Sequence, residues 1–263
     1  MDLGLTDARV FVAASSAGLG AAVARRFCLE GADVAINGRG AERLAAVTEQ
    51  LIVETGRHVV GVPGDVADRD AVYRVIAWAA ERLGGLDILV TNAGGPPPGT
   101  FATVQPEEYE RAFSLTFMSA VHLIQAALPH LRQSKRAAIL TITSVSVKQP
   151  VANLILSNSV RMGVVGLTKS LANELGPLGI RVNSILPGYT RTERVTQLME
   201  NRARDEGISL TEAYARQAAS SPLGRIGEPA EFANVAVFLC SPAAGYVHGA
   251  MIPVDGGSIA ASL

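Results

Sequence analysis

Short runs rich in β-branched residues recur along this chain, and a longer stretch with helical periodicity follows nearly every one of them. The short runs span Arg9 to Ala13, Asp33 to Ile36, His58 to Val62, Ile88 to Val90, Ala138 to Thr143, Arg181 to Leu186 and Met251 to Val254. Helical patterns cover Leu19 to Glu30, Ala41 to Glu54, Arg69 to Leu83, Pro106 to Leu131, Leu154 to Leu175 and Pro229 to Leu239, with Pro129 near the end of the fourth. Crossover connections of this kind lay successive strands side by side in parallel and cover both sheet faces with helices. The expectation is an α/β fold, a single-domain doubly wound parallel sheet of about seven strands over residues 1–263. The segment from Thr190 to Leu223 is charged and outside the rhythm, and is expected to form a lid over the carboxyl edge of the sheet. Gly94-Gly-Pro-Pro-Pro-Gly99 is expected to run as a stiff extended loop.

With 263 residues, 48% of them hydrophobic, the chain can bury a large core. A net charge of −1 with both signs interspersed leaves no footprint for nucleic acid or an anionic membrane surface. Cys28 and Cys240 form neither a metal knuckle nor a redox pair and are expected to be reduced core residues. The four His residues have no ligand spacing, so no metal is expected. No leader pattern opens the sequence and no apolar run is expected to approach membrane-spanning length, which points to a soluble, cytoplasmic protein.

The first strand runs into Ala13-Ala14-Ser15-Ser16-Ala17-Gly18-Leu19-Gly20 and then into a helix. The unpaired N–H groups and positive dipole end of a helix start receive a pyrophosphate where no side chain blocks the approach, and Gly18 and Gly20 supply that clearance. Glycines at a turn are otherwise plain punctuation; the flanking strand and helix make this a Rossmann-type dinucleotide site. Ala14 suits it only with a negative φ, because a Cβ at positive φ is strained. The second strand ends at Ile36-Asn37-Gly38-Arg39, without the carboxylate that holds the ribose hydroxyls of NAD. Gly38 leaves room and Arg39 offers a forked cation to a 2′-phosphate, which favours NADP(H) over NAD(H); the plain alternative is an exposed surface arginine.

Downstream, Ser144 precedes Ser157-Asn-Ser-Val-Arg161, and Gly166 to Leu175 and Gly179 to Gly188 fix the register. In this frame the chain resembles the short-chain dehydrogenase/reductase family, closest in appearance to its 3-oxoacyl-carrier-protein reductase-like branch. That family carries a Ser before Tyr-x-x-x-Lys and an Asn on the fourth helix. The resemblance therefore puts Ser157 at the Tyr, Arg161 at the Lys and Thr116 at the Asn, with only Ser144 matching. It also implies that Ala13 and Ala14 replace the Thr and first Gly of the pyrophosphate turn. Asp65 and Val66 resemble the adenine contact, Asn92, Ala93 and Gly94 the Asn-Ala-Gly element, and Pro187, Gly188 and Thr192 the stretch that meets the nicotinamide carboxamide. Further likeness at Ser221 to Pro229 and Val254 to Gly257 extends it over almost the whole chain. A homotetramer, or a dimer, built on the fourth and fifth long helices is implied as well.

In that family a phenol gives a proton to the carbonyl oxygen as hydride arrives, and a lysine lowers the phenol's pKa. A serine hydroxyl cannot be tuned that far, so Ser157 can only donate a hydrogen bond or hold a water. Arg161 stays charged; it can stabilise an alkoxide or bind an anionic substrate. Ser144 is either a polariser of the substrate oxygen or a strand-end hydroxyl satisfied by backbone. Ser157, Arg161 and Thr116 can equally be residues that fill a vacated site, and Tyr189 is either a displaced acid or a packing aromatic. The expected function is an NADP(H)-dependent oxidoreductase acting on a carbonyl or alcohol of a small-molecule or acyl-thioester substrate. The alternative is a nucleotide-binding scaffold that has lost hydride transfer. Non-redox chemistry of the halohydrin dehalogenase kind is disfavoured, because those proteins keep the Tyr and give up the dinucleotide site.

Overall fold

A computed structural model describes residues 1–261. Seven strands, β1 (Arg9–Val12), β2 (Asp33–Gly38), β3 (Val59–Pro63), β4 (Ile88–Thr91), β5 (Ala138–Ile142), β6 (Arg181–Pro187) and β7 (Met251–Val254), form one sheet in the order β3-β2-β1-β4-β5-β6-β7. Every pairing is parallel. Alternate side chains enter separate cores: Val10 and Val12 pack on one face with Phe27 and Phe232, and Phe11 on the other with Ile76 and Leu123. Helices α1 (Gly18–Leu29) and α2 (Ala41–Thr55) cover the first face, and α3 (Arg69–Leu83) the second. Pro253 in β7 is tolerated because that strand is an edge. Cys28 and Cys240 are free and buried, and burial pushes both thiols up to about 12.

The stretch expected as one helix from Pro106 to Leu131 is interrupted. α4 (Pro106–Phe113) and α5 (Ser119–Leu131) flank a π turn at Ser114–Met118. There the Ser119 N–H donates to the carbonyl of Ser114, five residues back, while its hydroxyl donates to the carbonyl of Leu115 at 2.5 Å. The expectation about membrane-spanning length is also corrected. Pro106–Leu131 has 26 residues and a mean hydropathy of 1.3 in its apolar window, long and apolar enough to cross a membrane. Here its Leu123, Ile124, Ala127 and Leu131 are buried in the sheet's second core.

α6 (Ile155–Leu175) packs along β6, and α9 (Pro229–Cys240) lies beside α1. Between β6 and α9 the expected lid is a helical hairpin, α7 (Glu193–Glu206) and α8 (Leu210–Ala219). Val195, Met199, Ala213 and Ile226 give it a small core of its own, and Tyr214 Oη donates to Thr196 Oγ1 at 2.8 Å.

Candidate active site

The strand order reverses between β1 and β4, so the loops leaving their carboxyl ends diverge and open a crevice. Asn92, just past β4, donates from Nδ2 to the carbonyl of Ala14, just past β1, at 3.1 Å. Ala14 has a φ of 45°, opposite to the negative value that the sequence reading required. The turn keeps the left-handed shape of a glycine and carries a methyl in it, at a cost of about 1 kcal/mol. Asn37 holds it there, accepting from Ala14 N at 3.2 Å through Oδ1 and from Ser15 N at 2.7 Å through its carbonyl. Its Nδ2 also donates to the carbonyls of Val62 and Gly64 at 3.0 and 3.1 Å, so one buried side chain joins the ends of β1, β2 and β3. The sequence reading missed Asn37, although an amide inside an otherwise apolar strand was the available signal.

Gly18 and Gly20 stand at the start of α1. A Cβ on Gly20 would lie 2.5 Å from the Ala14 carbonyl oxygen. Gly18, at φ 56°, faces Thr192 across the crevice, where a Cβ would lie 3.7 Å from the Thr192 methyl. Ala17 at the N-cap of α1 makes no side-chain capping hydrogen bond, and no acidic residue sits in the first turn. Free N–H groups, a positive dipole end and no competing carboxylate fit a pyrophosphate. Gly38 makes room for Ser16, whose Oγ a Cβ would approach to 2.6 Å. Arg39 stands in solvent with its guanidinium 3.8 Å from Asp65, and Val66 is buried behind it.

The chemical end opens from the same crevice as a cleft of about 400 Å³. It brings together Ala14, Gly18, Leu19, Asn92, Ala93, Gly94, Ser144, Ser157, Arg161, Pro187, Gly188, Tyr189 and Thr192. Arg39, Asp65, Val66 and Thr116 lie outside it. Ser144 Oγ accepts from Ser146 N at 3.1 Å, which leaves its own proton free for the cleft. Ser157 Oγ accepts from Arg161 Nε at 3.2 Å and lies 3.4 Å from Ser146 Oγ, a neighbour the sequence reading did not name.

Arg161 is nine-tenths buried, and its Nη1 donates to the carbonyls of Ile142 and Thr143 at 3.3 and 3.1 Å. Among the described residues no carboxylate reaches it. Burial, helped by the charge of Arg194, lowers its pKa to about 10, so it stays a cation at neutral pH. Thr116 sits on the π turn. Its buried hydroxyl has no partner among the described residues, and it lines a cavity of about 10 Å³ together with Asn92 and Arg161. Burial raises the Tyr189 phenol, which makes it a weaker acid than an ordinary tyrosine and counts against a displaced-acid role.

A family profile described as Enoyl-(Acyl carrier protein) reductase matches residues 13–258. L-rhamnose 1-dehydrogenase (NAD(P)(+)) of Azotobacter vinelandii is 34% identical over 257 residues, 96% of this chain and 97% of that protein. L-sorbose reductase of Gluconobacter frateurii, solved with NADPH and L-sorbose, superposes with a TM-score of 0.95 at 31% identity, covering 99% of this chain and all of that one. An NADPH-bound short-chain oxidoreductase of Pseudomonas aeruginosa PAO1, described as containing an atypical catalytic centre, gives 0.89 at 32% identity over 98% of this chain and 100% of its own. With this sheet, this crevice and relatives matched end to end, the chain belongs to the short-chain dehydrogenase/reductase family.

Proposed function

We propose that this protein is an NADP(H)-dependent reductase of a carbonyl compound in which a buried guanidinium, not a phenol, receives the charge of the new alkoxide. The observation that carries the reading is the buried cation of Arg161, which lines the cleft with no carboxylate beside it among the described residues. Bound NADPH supplies the hydride. The chain then has to hold the carbonyl oxygen, which becomes negative as the hydride reaches its carbon. Arg161 offers a fixed full charge on a buried guanidinium, where a preorganised donor acts more strongly than in bulk solvent. Ser144 adds a hydroxyl proton, and Ser157 steadies the guanidinium through its Nε contact. Tyr189 lines the cleft, but burial raises its phenol, so the alkoxide takes its proton from water entering the cleft.

Two features support NADP(H) over NAD(H): the exposed Arg39 beyond Gly38, and the lack of a carboxylate at the end of β2. We extend the proposal to assembly. Phe113 and Met162 are each about half exposed, and Phe113 stacks on Phe117 at 4.9 Å, an apolar face on α4 and α6 suited to a second copy. A single-chain mass in light scattering overturns that part.

Fluorescence titration with NADPH and NADH, followed by absorbance at the nicotinamide band over ketones, acyl thioesters and sugars, tests the reading. The expected result is tighter binding of NADPH and slow, measurable turnover. Equal affinity for both cofactors removes the Arg39 argument. NADPH binding with silence across the panel favours the scaffold alternative.

A further inference from the structure

The cleft holds a second guanidinium. Arg194, in the first turn of α7, lines it alongside Arg161 and is half-buried, and Glu193 is the one acidic residue in that lining. Glu193 is turned to Arg43 on α2, 2.5 Å away, so it neutralises neither cation. Among the described residues Arg194 makes one hydrogen bond, from Nη2 to the carbonyl of Pro96 at 2.7 Å, and its Nε and Nη1 are left unpaired. Gly95 packs against the same group: a Cβ there would stand 3.3 Å from Nε. These contacts put the guanidinium beside the loop past β4.

Two half-desolvated or fully desolvated cations without a counter-ion repel one another and raise the free energy of the empty cleft. One of them is accounted for by the oxygen that becomes an alkoxide. The other calls for an anion that arrives with the substrate. Val151, Leu154, Val195 and Leu198 give the wall an apolar stretch beside the hydroxyl-bearing Thr190, Thr192 and Tyr189.

We infer that the substrate is an oxo acid with an apolar chain or ring, its carboxylate held by Arg194 at the mouth of the cleft while its carbonyl oxygen meets Arg161. This rests on the reductase reading above. Carboxylate fits a guanidinium fork, and anchoring one end of the substrate fixes where the carbonyl lies. The reaction is the reduction of the ketone to a hydroxy acid: hydride from NADPH goes to the carbonyl carbon, a proton from water to its oxygen, and NADP⁺ and hydroxide remain.

The test compares 2-oxo and 3-oxo carboxylates with their methyl esters, in the wild type, Arg194→Gln and Arg194→Lys. Binding to the NADPH complex is followed by quenching of nicotinamide fluorescence, and turnover by absorbance. The wild type is expected to prefer acid over ester, and Arg194→Gln to shrink that preference roughly 30-fold, mainly through KM, as expected for a lost charge-assisted contact. Arg194→Lys should restore part of it, and the Kd for NADPH should move less than about twofold in either variant. Turnover of neutral ketones with no preference for acids overturns the inference and leaves the reductase reading standing. Acids that bind the NADPH complex in an Arg194-dependent way but are not turned over have the opposite meaning. An NADPH Kd that weakens roughly 30-fold in Arg194→Gln assigns the residue to the cofactor and overturns the inference too.

Discussion

A cation enclosed by protein with no anion beside it destabilises the fold that encloses it, and Arg161 is in that position. Arg161→Met should therefore separate stability from function. We expect the variant to gain about 1 kcal/mol in urea unfolding, because a flexible apolar chain replaces an uncompensated charge. Its kcat should fall about 100-fold, the usual effect of losing an oxyanion donor. A variant less stable than the wild type would show that the bonds to the Ile142 and Thr143 carbonyls outweigh the desolvation. The family frame singled out Ser144, Ser157 and Arg161 along the chain, and the structure brings the three to one cleft. What escaped was conformation: no spacing argument reveals that Ala14 adopts a left-handed φ, because Asn37 and Asn92 impose it from strands distant in the chain. Arg194 escaped because its significance lies in the lack of a nearby carboxylate, which only three dimensions disclose.

Among the elements, the π turn at Ser114–Met118 departs most from the sequence expectation. Helical periodicity runs on through it, and the extra residue shows only in the hydrogen bonds of Ser119. The turn carries the Thr116 hydroxyl, buried and without a partner among the described residues. Thr116→Val keeps the shape and removes that hydroxyl, so thermal unfolding should show a gain of about 1 kcal/mol. A loss of similar size would mean that the hydroxyl is satisfied by solvent in the adjoining cavity. The strands were legible to within a residue or two, since runs buried on both faces leave little freedom. The segment from Thr190 to Leu223 stood outside the strand-helix rhythm in the sequence, but its helical hairpin was not legible, because its sparse apolar residues pack in a small cluster apart from the two cores of the sheet.

For the whole molecule, the amino edge of the sheet is the acid-sensitive side. Asp87 is buried, which alone would push its carboxyl up, but bonds from Arg9 at 2.8 and 3.0 Å and Ser134 at 2.7 Å outweigh burial and hold it at about 2, against an ordinary 3.8. Its stabilising effect is complete above the ordinary value and is lost as pH falls through about 2. Melting temperature should accordingly drop between pH 4 and 2, and Asp87→Asn should flatten that drop at the expense of stability at neutral pH. Parallel pH profiles for the two proteins would assign acid sensitivity elsewhere. The α7–α8 hairpin has another bearing on how the molecule works. Val195, Met199 and Ala213 pack the two helices together, while Ile226, Tyr189 and polar latches such as Arg194 to Pro96 and Arg43 to Glu193 tie the pair to the rest of the molecule. If the hairpin opens as a unit, it breaks one part-buried and one exposed polar bond, and on the inference drawn above a substrate carboxylate at Arg194 would add a third tie that holds it shut.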